Sequence, residues 1–204
     1  LLDSGYEVLG LFISAKLSGT LQSAYQGRDS LGLGKEKVEI VDSVSTAMAL
    51  GFQVLTAARA AAEGASLAEC KELAAQARAN SGVYFVVDTL EFLHRGGRIG
   101  GAQRLLGTAL NMKPILALQE GKVEAVERVR AKGKALDRLI EIVAEKCAGK
   151  SPVRLATLHA NSPEEAKDVL QRASQQLNAV ESILTEVSPV VGSHTGPGTV
   201  GLAY

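Results

Sequence analysis

The chain has 204 residues, 46% of them hydrophobic and 22% charged, a composition ordinary for a soluble globular protein and long enough for one large domain or two small ones. Twenty-two basic side chains balance 22 acidic ones, so net charge supplies no argument for binding nucleic acid or an anionic membrane. Apolar runs fall short of the ~20 residues a membrane helix needs. The two cysteines, Cys70 and Cys147, have no second sulfur or histidine at ligand spacing, which argues against a disulfide framework or zinc site and for a reducing, cytoplasmic setting. The first residues, Leu1-Leu2-Asp3-Ser4-Gly5, carry no Met, signal peptide or basic leader and read as the end of a helix, so the chain is expected to lack its true N-terminus.

Residues 7–14 form a short apolar run of strand length. Ser18-Gly19-Thr20 follows, then a helical stretch to about Gly27 and a second strand at 38–41, a β-loop-α-β unit. Asp42-Ser43-Val44-Ser45 leads into an alanine-rich helix ending near Gly64, and Ser66 with Glu69 three residues on makes a capping box for the next helix. Residues 83–87 read as a buried strand. The first half therefore alternates strand and helix, as a mostly parallel α/β sheet does.

The pattern changes at Gly96-Gly97-Arg98-Ile99-Gly100-Gly101, a joint between an α/β domain over 1–98 and an α+β domain over 99–204. Residues 104–110 look helical. Strands at 113–118 and 123–129 flank the turn Gln119-Glu120-Gly121-Lys122 as an antiparallel hairpin. A helix over 134–147, a strand over 153–158 and a helix opened by Ser162 and Pro163 come next. Strands at 182–186 and 198–203 complete the reading, and His159 is expected in a loop just after its strand.

Three segments can carry chemistry. The 14–20 loop, at the C-terminal end of the first strand, offers hydroxyls and helix N–H groups to a carboxylate or phosphate, though a plain helix cap explains it equally well. His94-Arg95-Gly96-Gly97-Arg98 offers guanidinium groups to an oxyanion, or a basic hinge, and matches neither a P-loop nor G-x-G-x-x-G. Gly192-Ser193-His194-Thr195-Gly196-Pro197-Gly198 reads as a loop aiming one imidazole and several N–H groups at an anion, or as a tight turn before the last strand. A triad of Ser18, His194 and Asp42 or Asp88 lacks a G-x-S-x-G elbow, and no H-x-x-x-H spacing suggests a metal.

Four segments together resemble the DegV family of bacterial fatty-acid-binding proteins: FISAKLSGTLQSA, VDSVSTAMALGFQVLTAARAAAEG, VDTLEFLHRGGRIGGAQRLLGTALNMKPIL and VVGSHTGPGTVGLAY. The resemblance spans essentially the whole chain. It implies two α/β domains and a long-chain fatty acid, the only ligand, enclosed in an apolar tunnel, with no other cofactor and no metal. It implies a carboxylate clamp of Ser14, Ser18, Gly19, Thr20 and His194. It implies a non-catalytic role as the acyl-binding subunit of a bacterial fatty acid kinase. An ATP-binding partner would phosphorylate the carboxylate for phospholipid synthesis, with Arg98 near the phosphoryl end or the kinase contact. Leu105, Leu106, Leu110, Asn111 and Met112 are candidates to line the tunnel. Two departures stand out. Ala15 replaces the second serine of the family's I-S-S-x-x-S-G-T loop, and neither the family's opening D-S-T/A strand nor its threonine-bearing loop is present, about a quarter of the usual length. Two other readings fit the same residues: a stand-alone phosphotransferase or hydrolase using His194 as acid/base, and a lipid sensor without chemistry.

Overall fold

The computed structural model describes residues 1–32, 34–107 and 112–204, which form two compact units, Leu1–Ser81 and Gly82–Tyr204. In the first, β1 (Val8–Phe12) pairs in parallel with β2 (Val38–Asp42), in register from Val8↔Val38 to Phe12↔Asp42. A parallel pair needs a crossover, and α1 (Thr20–Asp29) supplies it. Helices α2 (Ala47–Ala62) and α3 (Leu67–Ala79) pack on each other and on the strands. Small residues make this close approach possible: Ala57, Cys70 and Ala74 are buried, with Leu9, Leu11, Ala60 and Ala65 against them. The expected capping box starts α3. The Ser66 hydroxyl accepts the Glu69 N–H, and the Glu69 carboxylate accepts the Ser66 N–H at 2.8 Å.

The second unit is a six-stranded sheet in the order β5-β4-β3-β8-β6-β7. Its strands are β3 (Val83–Val86), β4 (Met112–Gln119), β5 (Lys122–Arg130), β6 (Arg154–Ala160), β7 (Glu181–Glu186) and β8 (Thr199–Ala203). Every ladder is antiparallel except β6-β7, which α6 (Pro163–Leu177) connects. Alternate residues of the inner strands, Tyr84 and Val86, Ile115 and Ala117, Val200 and Leu202, point to one face. They form the main core with Leu139 and Val143 of α5 (Lys132–Cys147) and Ala166 and Val169 of α6. The β4-β5 hairpin turns on Glu120 and Gly121, both with positive φ (48° and 77°), the conformation a two-residue type I′ turn requires.

Several expectations differ from the structure. Residues 83–87 read as part of a parallel sheet, yet β3 pairs antiparallel with β4 and β8. The chain accordingly divides at Ser81/Gly82, whereas the sequence suggested Arg98/Ile99. His159 lies inside β6 and is 3% exposed, in a strand flanked by β7 on one side and β8 on the other. The glycine-rich 188–198 segment is not all loop: Ser188 caps and Pro189 opens a short helix, α7 (Pro189–Thr195), so His194 sits in its last turn. Finally, Gly100–Leu105 is a 3-10 helix; the rest of the helix expected at 104–110 lies mostly outside the described residues.

Candidate functional site

In the first unit, the loops leaving β1 and β2 lie side by side, as the parallel register demands. Ser14 is 1% exposed: its N–H donates to Ser45 O at 2.8 Å, and its Oγ accepts the Lys16 N–H at 3.2 Å. Its carbonyl accepts the N–H groups of Leu17 and Ser18, closing a tight turn. Ser18 is half-buried and Thr20 exposed, and their hydroxyls share a 2.7 Å hydrogen bond. Ser18 Oγ also accepts the Thr20 N–H, doing one residue early the capping that Gly19 cannot. Gly19 itself is right-handed (φ −74°), with open space where a Cβ would go. The loop thus separates into one buried hydroxyl and two accessible ones.

What holds this loop was not read from the sequence. The Asp42 carboxylate accepts the Val44 N–H at 2.8 Å and the Ala15 N–H at 3.3 Å, clamping both loops with one side chain. Ser43 Oγ donates to Ser45 O and accepts the Ser45 N–H. Below them Gln53, fully buried, donates to the carbonyls of Ser43 and Ala49 at 3.2 Å. Its Oε1 is buried with no partner among the described residues. Val44 has φ 54°, a left-handed conformation that costs a β-branched residue about 1–2 kcal/mol. The spacing Asp42-Ser43-x-Ser45 was the available signal, a side chain bonding to backbone two residues on.

In the second unit, α4 (Glu91–Arg95) packs against α7. The contact is built on missing side chains. A Cβ on Gly96 would overlap His194 Nδ1 and come within 2.8 Å of Cε1, while one on Gly196 would overlap the Phe92 ring. Among the described residues, His194 Nδ1 and Thr195 Oγ1 are buried without a hydrogen-bond partner. Thr199 Oγ1 donates to the carbonyls of Thr195 and Gly196, fixing the chain as it leaves α7. Arg98 is exposed, and its guanidinium donates to Gly96 O at 2.7 Å, folding back over the same segment. Arg95 pairs with Glu91 one turn earlier.

The two aspartates proposed as triad members are otherwise engaged: Asp42 by backbone N–H groups, Asp88 by Lys113 at 2.8 Å and Lys132 at 3.6 Å. Among the described residues no group of three or more His, Cys, Asp or Glu is placed to hold a metal, and no helix is long and apolar enough to cross a membrane. An apolar groove of about 340 Å³ in the first unit is lined by Leu9, Leu11, Ala57, Ala61, Leu67 and Cys70. In the second unit Leu105 and Met112 line a cleft of about 600 Å³ with Arg104, Ala125 and Val126. Leu110 and Asn111 lie outside the described residues, and Leu106 is exposed.

The model of the DegV family, described as uncharacterised proteins, matches residues 1–204. This chain belongs to the DegV family. A DegV domain-containing protein of Streptomyces coelicolor is 40% identical over 202 residues, 98% of this chain and 70% of that protein. A DegV family protein from Thermus thermophilus, described by its fatty acid binding, superposes with a TM-score of 0.92 at 38% identity, covering 99% of this chain and 71% of that one. DegV of Bacillus subtilis, described as a fatty acid binding protein, superposes at 0.85 with 30% identity, covering 99% and 72%. The α/β fold implied by the four sequence segments is therefore that of the family.

Proposed function

We propose that this chain binds a long-chain fatty acid without turning it over, and that it presents the carboxylate to an ATP-binding kinase subunit for acyl-phosphate formation. The observation that carries the reading is the likeness, over 99% of the chain, to a Thermus DegV protein described by its fatty acid binding. The chemistry of the residues supports it. Burying an acyl chain contributes about 0.8 kcal/mol per CH₂, so apolar packing supplies the affinity and the polar groups supply orientation. In this reading Ser18, Thr20 and the N–H groups around Gly19 are the candidate carboxylate donors of the first unit, with Ser14 bracing their loop, and His194 is the candidate donor of the second. Neutral donors hold a carboxylate while leaving an oxygen free to attack a phosphoryl group; a buried ion pair would hold it more firmly. Arg98 is assigned to the phosphoryl end or the kinase contact.

Native mass spectrometry of freshly purified protein tests the binding step: a co-purified long-chain fatty acid is expected. Empty protein that hydrolyses acyl esters or ATP unaided would sink the proposal. For the second step, His194→Ala is expected to lower acyl-phosphate formation with the kinase subunit far more than it lowers lipid binding. Equal losses in both assays would contradict the assigned role.

A further inference from the structure

Gly96 has φ −76° and ψ −5°, a right-handed conformation open to any residue, so its backbone does not call for glycine. Its neighbour Gly97 is the opposite case, with φ 67° and nothing near a Cβ. What Gly96 lacks is volume. The Cβ direction runs into His194 Nδ1, passes nearer Cε1 than Cγ, and so follows the ring edge where the nitrogen lone pair projects. An Hα of Gly96 therefore sits where a proton on Nδ1 would have to be. A lone pair accepts such a C–H contact weakly, whereas an N–H there would meet a hydrogen head-on. Nδ1 is buried and has no acceptor among the described residues, so a proton on it would also go unsatisfied.

We propose that Gly96 is a positioning residue that holds His194 in the Nε2–H tautomer, making Nε2 the ring's single donor. The proposal rests on the fatty-acid reading for what Nε2 faces, a carboxylate, but not for the tautomer itself. It also divides the work of the Arg-Gly-Gly-Arg segment. Gly96 supplies space for the imidazole, Gly97 supplies the positive φ, and Arg98 closes back on the Gly96 carbonyl.

The test is ¹⁵N NMR of the ligand-free protein at pH 8.5, about two units above an ordinary imidazole pKa. The chain has three histidines, and His194→Gln identifies the signals of the third by their loss. A pyridine-type Nδ1 and a pyrrole-type Nε2 are expected at His194; the reverse pattern overturns the proposal. Gly96→Ala is expected to shift those signals, and with [1-¹³C]oleate bound it should move the carboxyl resonance toward that of the His194→Gln complex. Unchanged His194 signals in Gly96→Ala would also overturn it. Should Gly96→Ala lower the thermal midpoint, most of that loss is expected to vanish in Gly96→Ala/His194→Ala, where the imidazole is gone; a loss that persists in full refutes the steric link. The expected tautomer in a protein that binds no oleate would refute the fatty-acid reading and leave the role of Gly96 standing.

Discussion

The Asp88 carboxyl group occupies the space into which a Cβ on Gly198 would project, so an ion-paired side chain at the end of β3 rests directly on the glycine that leads into β8. Gly198 has φ 83° and donates its N–H to Ala160 O at 2.8 Å. Gly198→Ala meets two penalties at once, overlap with Asp88 and a left-handed backbone, each about 1–2 kcal/mol. Chemical denaturation is expected to show a loss of about 2–4 kcal/mol by that sum. In an Asp88→Ala background the overlap disappears, so the substitution should then cost only the backbone part. An unchanged cost there would show that the contact carries no strain.

Gln53 is the beam under the β1 and β2 loops. Gln53→Leu removes the donor to Ser43 O inside a buried network, a change that costs about 1–3 kcal/mol. Because Ser45 O receives the Ser14 N–H, loosening residues 43–45 should also speed amide exchange at Ser14. Hydrogen exchange of Gln53→Leu checks this: protection at Ser14 equal to that of the wild type would disconnect the two loops.

The Ser66–Glu69 cap has a pH signature. Hydrogen bonds from the Ser66 hydroxyl and backbone N–H hold the Glu69 carboxyl below its ordinary value. A depressed carboxyl stabilises the fold above its unfolded pKa and loses that effect as pH falls through the folded one. Ser66→Ala is therefore expected to lower the unfolding midpoint at pH 7, with the gap to wild type narrowing below about pH 4. A gap that widens on acidification would contradict the assignment.

Tyr204 ionises late. Burial, followed by the nearby Tyr84 and Cys147, pushes its phenol up to about 12. The folded state keeps this proton longer than the unfolded chain does, so stability from it is complete below pH 10 and is lost between about 10 and 12. Ultraviolet titration should show one of the four tyrosines lagging, and Tyr204→Phe should remove the lagging step. A titration curve that Tyr204→Phe leaves unchanged at its alkaline end would refute it.

What the sequence made legible was local. The capping box, the Glu120-Gly121 turn and the Pro163 start of α6 each depend on neighbours a few residues apart, and each is where the pattern placed it. The misread places depend on distant partners. Nothing within residues 83–87 says that Tyr84 will lie opposite Leu202, so an apolar run suited to a parallel sheet became an antiparallel inner strand. His159 looked like a loop residue because it follows directly on the strand read at 153–158, yet that strand runs on to Ala160 and is flanked on both sides. In the 188–198 segment, Ser188-Pro189 was a readable helix start, outweighed by Gly192 and two valines that disfavour a helix. The hydroxyls of Ser14, Ser18 and Thr20 could be found by type. That Ser14 is buried and the other two accessible follows from Ser45 and Asp42, which periodicity does not connect to them.

β8 comes last among the strands, yet it lies inside the sheet, between β3 and β6, with Gly82 and Tyr204 exchanging backbone hydrogen bonds at 3.0 and 3.1 Å. On a ribosome, β3, β4 and β5 would emerge long before the strand that joins them to β6 and β7. The second unit can close only after residues 199–203 have left the exit tunnel, whereas β1 and β2 can pair much earlier. The same adjacency makes residues 82 and 204 a natural splice point: a circular permutant of the second unit, joined there and opened at the Glu120-Gly121 turn, would build the same sheet with β8 arriving mid-chain.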